Sequence, residues 1–235
     1  MQDIEVAVDQ AFLDELWDFS DPEASEARFR AAGDDPELQT QVARALGLQR
    51  RFDEGERILE AIRDAAPATR VRILLERGRL LNSSGDAIAA IPLFEEAARL
   101  ASTAALDFLE IDAVHMLAIA DGEHSSQHFG HGMQLAEAAA DPRSKRWLVS
   151  LHNNFGWLQF DDGQLELALQ QFHEAFAAAI AYGTEDQRFY SRWAIARCQR
   201  ELGQSAAAGA LQQELLAERP DDADVLEELR SLHES

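Results

Sequence analysis

A small residue followed by large apolar residues recurs along this chain at helical spacing. The pattern is clearest in two copies, Gly78-Leu81-Gly85-Ala90-Phe94-Ala97 and Gly156-Gly163-Ala168-Phe172-Ala175. Equivalent small residues lie at regular intervals, since 35 residues separate Gly55 from Ala90, 78 separate Ala90 from Ala168, and 40 separate Ala168 from Ala208. Self-similarity of this kind is typical of stacked helical repeats rather than of a single closed core.

The composition and the helix boundaries indicate an all-α fold. Hydrophobic residues make up 46% of the chain, and no stretch alternates apolar and polar residues for long enough to predict a sheet. Helix starts are predicted at Asp21-Pro22 and Asp35-Pro36, where an acid precedes a proline at the first helical position, and at Asp86. A final helix is predicted over about 223–234. Helix ends are predicted at four glycines, Gly122, Gly163, Gly183 and Gly203.

The recurring residues resemble the tetratricopeptide repeat (TPR), and in particular bacterial-type TPR scaffolds in which some units exceed the usual ~34 residues. Weaker copies run through Ala43, Gly55 and Leu59 and through Ala196, Gly203 and Ala208, and the copy near 105–140 is degenerate. The resemblance implies a right-handed α-solenoid of about five helix pairs, in which small residues let helices A and B approach closely. It also implies an acidic N-terminal helical cap (1–34), a repeat array (35–220) and a C-terminal capping helix (221–235).

The charge excludes several classes of partner. The chain has 43 acidic residues against 21 lysines and arginines, a net charge of −22. Nucleic-acid binders gain affinity by neutralising phosphates, and anionic membranes attract basic surfaces, so we expect neither partner. We see no secretory signal and no apolar run of the ~20 residues that span a bilayer. The single cysteine, Cys198, allows no internal disulfide, and a cytoplasmic protein with an inert buried thiol is predicted.

The resemblance also predicts where a ligand would bind, because A helices line the concave surface of a TPR array. The corresponding stripe of this chain holds arginines, amides, a histidine and aromatic residues: Arg44, Arg72, Arg79, Asn82, His115, Asn153, Trp157, Tyr190, Trp193, Arg197 and Arg200. Arginine binds carboxylates through paired N–H groups, Asn can hydrogen-bond an extended backbone, and Trp offers flat apolar area. We therefore predict a scaffold that binds an anionic or extended peptide of a partner protein in this groove.

Other interpretations of the same residues remain open. The arginines could pair with carboxylates of neighbouring helices, for which the candidates are Glu76, Glu110 and Glu201. Trp157 and Trp193 could belong to the core between repeats. The groove could close around a small molecule or a signalling peptide, as in a sensor. An apolar stripe could support self-assembly or only pack the first helix down, and it consists of Phe12, Leu13, Leu16 and Trp17.

Residues that often carry chemistry do not form a convincing site. His124, His128 and His131 lie at i, i+4 and i+7 beside Glu123, a spacing that can hold Zn²⁺. Their segment is short and glycine-rich, so we expect exposed polar residues and no metal. His115, in an apolar run, has either a structural or a ligand role. The sequence contains no phosphate-binding glycine loop, His-Glu-x-x-His motif or nucleophile elbow, so we predict no catalytic residue, no cofactor and no enzymatic activity. The oligomeric state is not indicated.

Overall fold

The computed structural model describes Val8 and residues 10–63 and 65–234, and within these residues the secondary structure is entirely helical. In chain order the helices are α1 (Gln10–Leu16), α2 (Pro22–Ala32), α3 (Pro36–Leu48), α4 (Phe52–Ala61), α5 (Pro67–Ser84), α6 (Ala87–Thr103), α7 (Asp107–Ala120), α8 (Ser125–Ala138), α9 (Pro142–Lys145), α10 (Trp147–Asp161), α11 (Leu165–Tyr182), α12 (Glu185–Glu201), α13 (Ser205–Glu218) and α14 (Ala223–Glu234). The predicted all-α class is confirmed. Part of the predicted N-terminal cap, residues 1–7 and 9, lies outside the described residues.

Side-chain caps start the helices at the predicted places. The Asp21 carboxylate accepts the backbone N–H of Ala24 at 2.9 Å, and α2 begins at the next residue, a proline. Asp35 accepts the N–H of Glu37 at 2.8 Å and starts α3 in the same way. Asp86 caps α6. These acids accept N–H groups that have no partner within the helix. Proline at the first position costs no hydrogen bond, because an N–H there would also have no partner within the helix.

Glycines end the helices near the predicted positions. Helices α7, α10, α11 and α12 each stop within two residues of the glycine predicted to end them. At Gly163 and Gly203 the backbone has φ of +73° and +74°, the left-handed region in which a side chain is unfavourable. The turns after α10 and α12 therefore require glycine.

The described residues fall into two compact units, unit 1 up to His128 and unit 2 from Phe129 onward. In unit 1, α3 packs against α2, α4 and α5, and α5 packs against α6 and α7. In unit 2, α10 packs against α11, α11 against α12, α12 against α13 and α13 against α14. The boundary falls in α8, within the range predicted as one array. The division into cap, array and capping helix, and the number of five repeats, stay predictions.

The core of each unit depends on a glycine that faces a phenylalanine. Phe94 of α6 is fully buried, and a Cβ added to Gly78 of α5 would overlap its ring. A Cβ on Gly156 of α10 would lie 2.6 Å from Cε1 of Phe172 on α11. A Cβ at either position would lie well inside van der Waals contact with the ring. Each helix pair can therefore approach this closely only because the residue is glycine. The packing role predicted for these two glycines is confirmed.

The apolar stripe of the N-terminal segment packs inside unit 1. Leu13 of α1 is fully buried against Phe29 of α2 and Leu38 of α3. Phe12, Leu16 and Trp17 pack against the same cluster. This burial agrees with the interpretation that the stripe holds the first helix in place. In the described part of the chain, no helix combines the length and the apolar character needed to cross a membrane.

Replacing Gly78 by Ala should lower the free energy of unfolding by about 1–3 kcal/mol, because the added Cβ overlaps the Phe94 ring. Urea unfolding followed by circular dichroism measures this. Gly130→Ala in α8 is the control, since its Cβ would meet no atom within 4 Å and alanine favours a helix by about 0.5–1 kcal/mol. Equal midpoints for wild type and Gly78→Ala would contradict the close approach.

Candidate functional site

Arg79 is neutralised by two buried carboxylates of unit 1. Its Nη1 donates to Oε1 of Glu76 at 2.5 Å, and its Nη2 donates to Oδ1 of Asp112 on α7. Glu76 is 1% exposed and Asp112 2% exposed. Burial alone would lower the pKa of Arg79, but the two carboxylates outweigh burial and raise it. Arg79 therefore joins α5 to α7 through a charge cluster of the protein itself.

Arg72 has a similar structural role two turns earlier on the same helix, α5. It is only 6% exposed, and its Nε donates to Oε2 of Glu37 on α3 at 2.5 Å. Its Nη2 donates to Oε1 of Gln10 on α1 at 2.5 Å. The Thr69 hydroxyl donates to the other oxygen of Glu37. Arg72 thus connects α5 with α3 and α1.

Arg44 differs from the other arginines of the predicted stripe. Its guanidinium carbon lies 5.5 Å from the ring centroid of Trp17 and 5.3 Å from that of Phe19. These two rings are stacked 4.6 Å apart with an interplanar angle of 3°. Among the described residues, Arg44 makes no hydrogen bond and no ion pair. Burial and the charge of Arg79 lower the pKa of Arg44. Glu76 and Asp112 act in the opposite direction but do not outweigh them.

Asn82 and His115 complete the predicted residues of unit 1. The Asn82 side chain is half-buried and makes no hydrogen bond within the part of the chain that the structure describes. His115 of α7 is 8% exposed, and burial lowers its pKa to about 4 although Asp112 opposes the shift. The imidazole is therefore neutral at pH 7.

The two predicted arginines of unit 2 share one carboxylate, which comes from α14. Arg197 donates from Nη1 to Oε1 of Glu228 at 2.8 Å, and Arg200 donates from Nε to Oε2 of Glu228 at 2.8 Å. Glu228 is 2% exposed. Arg200 also pairs with Glu201 at 3.0 Å. The hydrogen bond to Glu228 raises the pKa of Arg200 despite burial.

Trp157 and Trp193 pack against the core of unit 2, as one of the open interpretations stated. Trp157 and Trp193 have ring centroids 5.9 Å apart and pack on the cluster around Phe172. The guanidinium of Arg197 lies 5.9 Å and 5.6 Å from the two ring centroids. This places Arg197 against aromatic faces on one side and Glu228 on the other.

The structure brings some predicted residues together and not others. Arg44, Arg72, Arg79 and His115 form one electrostatic cluster in unit 1. Trp157, Trp193, Arg197 and Arg200 cluster in unit 2. Asn153 and Tyr190 have other contacts, since Asn153 donates to Asn154 at 3.3 Å and the Tyr190 hydroxyl lies 3.5 Å from Asp222.

Several residues of these clusters were missed by the sequence interpretation. Glu76 and Glu201 do pair with predicted arginines, but they lie on the same helix as their partner. The carboxylates that connect different helices are Glu37, Asp112 and Glu228. The sequence also did not indicate the aromatic rings that support Arg44. Gln41 holds the Trp17 ring in place by accepting its indole N–H at 3.0 Å.

The remaining candidate chemistry is structural. One oxygen of Asp121 accepts ring N–H groups from His124 at 2.9 Å and His128 at 3.2 Å. Within the described ranges, no group of three or more ligating side chains is suited to a metal ion. Cys198 is buried and donates to the carbonyl of Leu165 at 3.2 Å, and burial raises the pKa of its thiol to about 11. Such a thiol is a poor nucleophile.

Comparison with solved structures identifies the architecture. No protein-family model matches the sequence. No curated protein matches it either. BtubC from P. vanneervenii is similar in structure with a TM-score of 0.58 and 14% identity, over 90% of this chain and 92% of that one. A Podosopora anserina protein with nearly identical TPR-like repeats has a TM-score of 0.57 and 17% identity, over 82% of this chain and 94% of that one. The chain has a TPR-like fold.

A third similar structure is larger than this chain. The apo form of the quorum sensor NprR from B. thuringiensis matches with a TM-score of 0.60 and 13% identity, over 94% of this chain and 66% of that one.

In the TPR-like fold, Arg44, Arg79, Trp157 and Arg197 each directly follow the small residue of an A helix. The resemblance seen in the sequence is thus confirmed for the fold.

Arg79→Met should lower the free energy of unfolding by about 3–5 kcal/mol, because Glu76 and Asp112 are left buried without their cation. Arg44→Met is the matched control, since no described carboxylate loses a partner and only ring contacts of about 0.5–1 kcal/mol are lost. Chemical denaturation compares the two. Similar losses in both variants would show that Arg79 is not the structural arginine of this cluster.

His115→Gln should flatten the pH dependence of stability between about pH 6.5 and 4. In that window the unfolded chain binds a proton at residue 115 and the folded chain does not, so wild type loses stability as the pH falls. The variant should gain up to about 3 kcal/mol relative to wild type at pH 4. Urea unfolding at a series of pH values measures this, with the exposed His173→Gln as control. Parallel curves for wild type and His115→Gln would refute the shift.

Proposed function

We propose that this chain is a non-catalytic scaffold for a protein or peptide partner, and that unit 1 binds an anionic extended segment through Arg44. The observation that carries this proposal is the contrast among the arginines of the stripe. Arg72, Arg79, Arg197 and Arg200 each have a carboxylate partner. Arg44 has none in the described residues, and its N–H groups are available to a ligand.

The surroundings of Arg44 favour a carboxylate ligand. The stacked rings of Trp17 and Phe19 support the guanidinium, so binding an anion there orders little additional side chain. A planar guanidinium can bind both oxygens of a carboxylate at once. The attraction is strengthened by partial burial, which removes competing water.

The ligand should carry more than a charge. Phe19 is 60% exposed and offers apolar area beside Arg44. The Asn82 amide can both donate to and accept from a peptide backbone. The residues therefore favour an extended peptide with a carboxylate next to an apolar side chain, either within the chain or at its C-terminus.

A signalling-peptide sensor is the second candidate. It is supported by the structural likeness to the quorum sensor NprR, which extends over 94% of this chain. In a sensor, binding at Arg44 would alter the protection of backbone amides in helices that do not touch the peptide. In a passive scaffold, changes in hydrogen exchange would stay near α1, α3 and α5.

Selection from a random peptide library on the immobilised chain tests the proposal. Enriched peptides should contain Asp, Glu or a free carboxyl terminus, and Arg44→Glu should weaken their binding at least tenfold, about 1.4 kcal/mol. Fluorescence anisotropy with labelled peptides measures the affinity. The matched control is Arg70→Glu, the same change of charge at an exposed position of α5 in the same unit.

The comparison has a clear negative result. If selected peptides bind Arg44→Glu and wild type equally well, and circular dichroism shows both proteins folded, Arg44 is not the anion-binding residue. Loss of binding in Arg70→Glu as well would mean that general charge, rather than the Arg44 site, controls affinity.

A further inference from the structure

Helix α14 places an apolar and acidic face on unit 2. Val225 is fully buried in a cluster with Phe189 of α12 and Leu215 of α13, and Leu229 packs against that cluster. Val225, Glu228, Leu229 and Leu232 lie at i, i+3, i+4 and i+7, the spacing of one helix face. α14 therefore packs on α12 and α13 as an amphipathic helix does in a binding groove.

Glu228 gives this face its charge. Its carboxylate receives hydrogen bonds from Arg197 at 2.8 Å and from Arg200 at 2.8 and 3.3 Å. These are the arginines of unit 2 for which the sequence predicted an anionic ligand. In the structure, the chain's own C-terminal helix supplies that anion.

The surface beneath α14 keeps polar groups that α14 does not satisfy. Gln212 of α13 is 0% exposed, yet neither its amide oxygen nor its amide nitrogen has a hydrogen-bond partner among the described residues. It lies near Gly209 and Leu216, which face Leu232 and the Val225 cluster. In the same described part, the indole N–H of Trp193 and the Nε–H of Arg197 are also buried and unbonded. Buried polar groups without a hydrogen bond oppose packing, so this surface keeps donors and acceptors that α14 does not use.

We propose that the α12–α13 face beneath α14 is a docking surface for an acidic amphipathic helix of a partner protein, which replaces α14. The partner helix presents apolar side chains at i, i+4 and i+7 and a carboxylate at i+3, so that it reaches Arg197 and Arg200. Polar side chains on the same helix meet the unbonded groups of Gln212 and Trp193. This inference does not depend on the ligand proposed at Arg44.

The covalent connection explains why α14 occupies this face in the absence of a partner. Only residues 219–222 separate α13 from α14. α14 therefore competes with the partner helix for the α12–α13 face at an effective concentration on the order of millimolar. The base of the connection is anchored, since Arg219 pairs with Asp186 at 2.5 Å. Exchange therefore requires release of α14 alone, with α12 and α13 left in place.

The test uses the full chain and a labelled synthetic peptide of residues 220–235. In Glu228→Lys, the new ammonium faces Arg197 and Arg200 and should release the chain's own helix. The peptide should then bind at least tenfold more tightly to this variant than to wild type, by fluorescence anisotropy. A peptide that itself carries Glu228→Lys should bind neither protein. The matched control is Glu227→Lys, an exposed neighbour with the same change of charge, which should behave as wild type.

Hydrogen exchange on the wild-type chain gives an independent readout if Glu228→Lys fails to fold. Amides of α14 should exchange at least tenfold faster than those of α12 and α13, because α14 opens separately. Equal protection of the three helices would overturn the proposal. It would also be overturned if Glu228→Lys released α14 but bound no peptide, or if light scattering showed that Glu228→Lys forms a dimer, because a second copy of the chain would then cover the exposed face.

Discussion

The rest of the structure depends on the contact between a phenylalanine ring and a glycine Cα on the facing helix. Phe94 meets Gly78 in this way and Phe172 meets Gly156, with no room for a Cβ. Such a contact sets both the distance and the rotation of the A helix. Because consecutive residues of a helix are about 100° apart, the residue that follows the glycine lies to one side of the pair contact. That next residue is Arg79 in one case and Trp157 in the other, so helix packing also positions the candidate site.

Neutralisation of buried charge is the second constraint. A chain of net charge −22 has few cations, and it uses most of those on its A helices to connect one helix to another. Arg72 holds Glu37, Arg79 holds Asp112, and Arg197 and Arg200 hold Glu228. Removing one partner of such a pair is costly, since the other stays buried and uncompensated. A ligand that binds an arginine used in this way has to compete with a preformed carboxylate contact.

The helices and the contacts between glycine and phenylalanine could be predicted from the sequence, because glycine, alanine and phenylalanine at fixed spacing have few other uses. The pairing of the arginines could not. Glu37 precedes Arg72 by 35 residues, whereas Asp112 and Glu228 follow their partners by 33 and 31. An acid about one repeat away from an arginine is the signal that would have found them, but its direction varies. The support of Arg44 was harder still, since Trp17 and Phe19 precede the repeats and are not part of the repeat pattern.

Arg44 and Arg197 occupy the same position of their A helices but differ in their polar partners. In unit 1, Arg44 follows the small residue Ala43 and is supported by aromatic rings, with no described carboxylate bound to it. In unit 2, Arg197 follows Ala196 and is also flanked by aromatic rings, but Glu228 of α14 occupies its polar side. The chemistry of the two positions is alike, and what differs is whether the chain supplies its own anion. In the two proposals, a ligand of unit 1 needs only sufficient affinity, whereas a partner helix of unit 2 must also displace a tethered competitor, so at equal intrinsic affinity we expect unit 2 to respond at a higher ligand concentration.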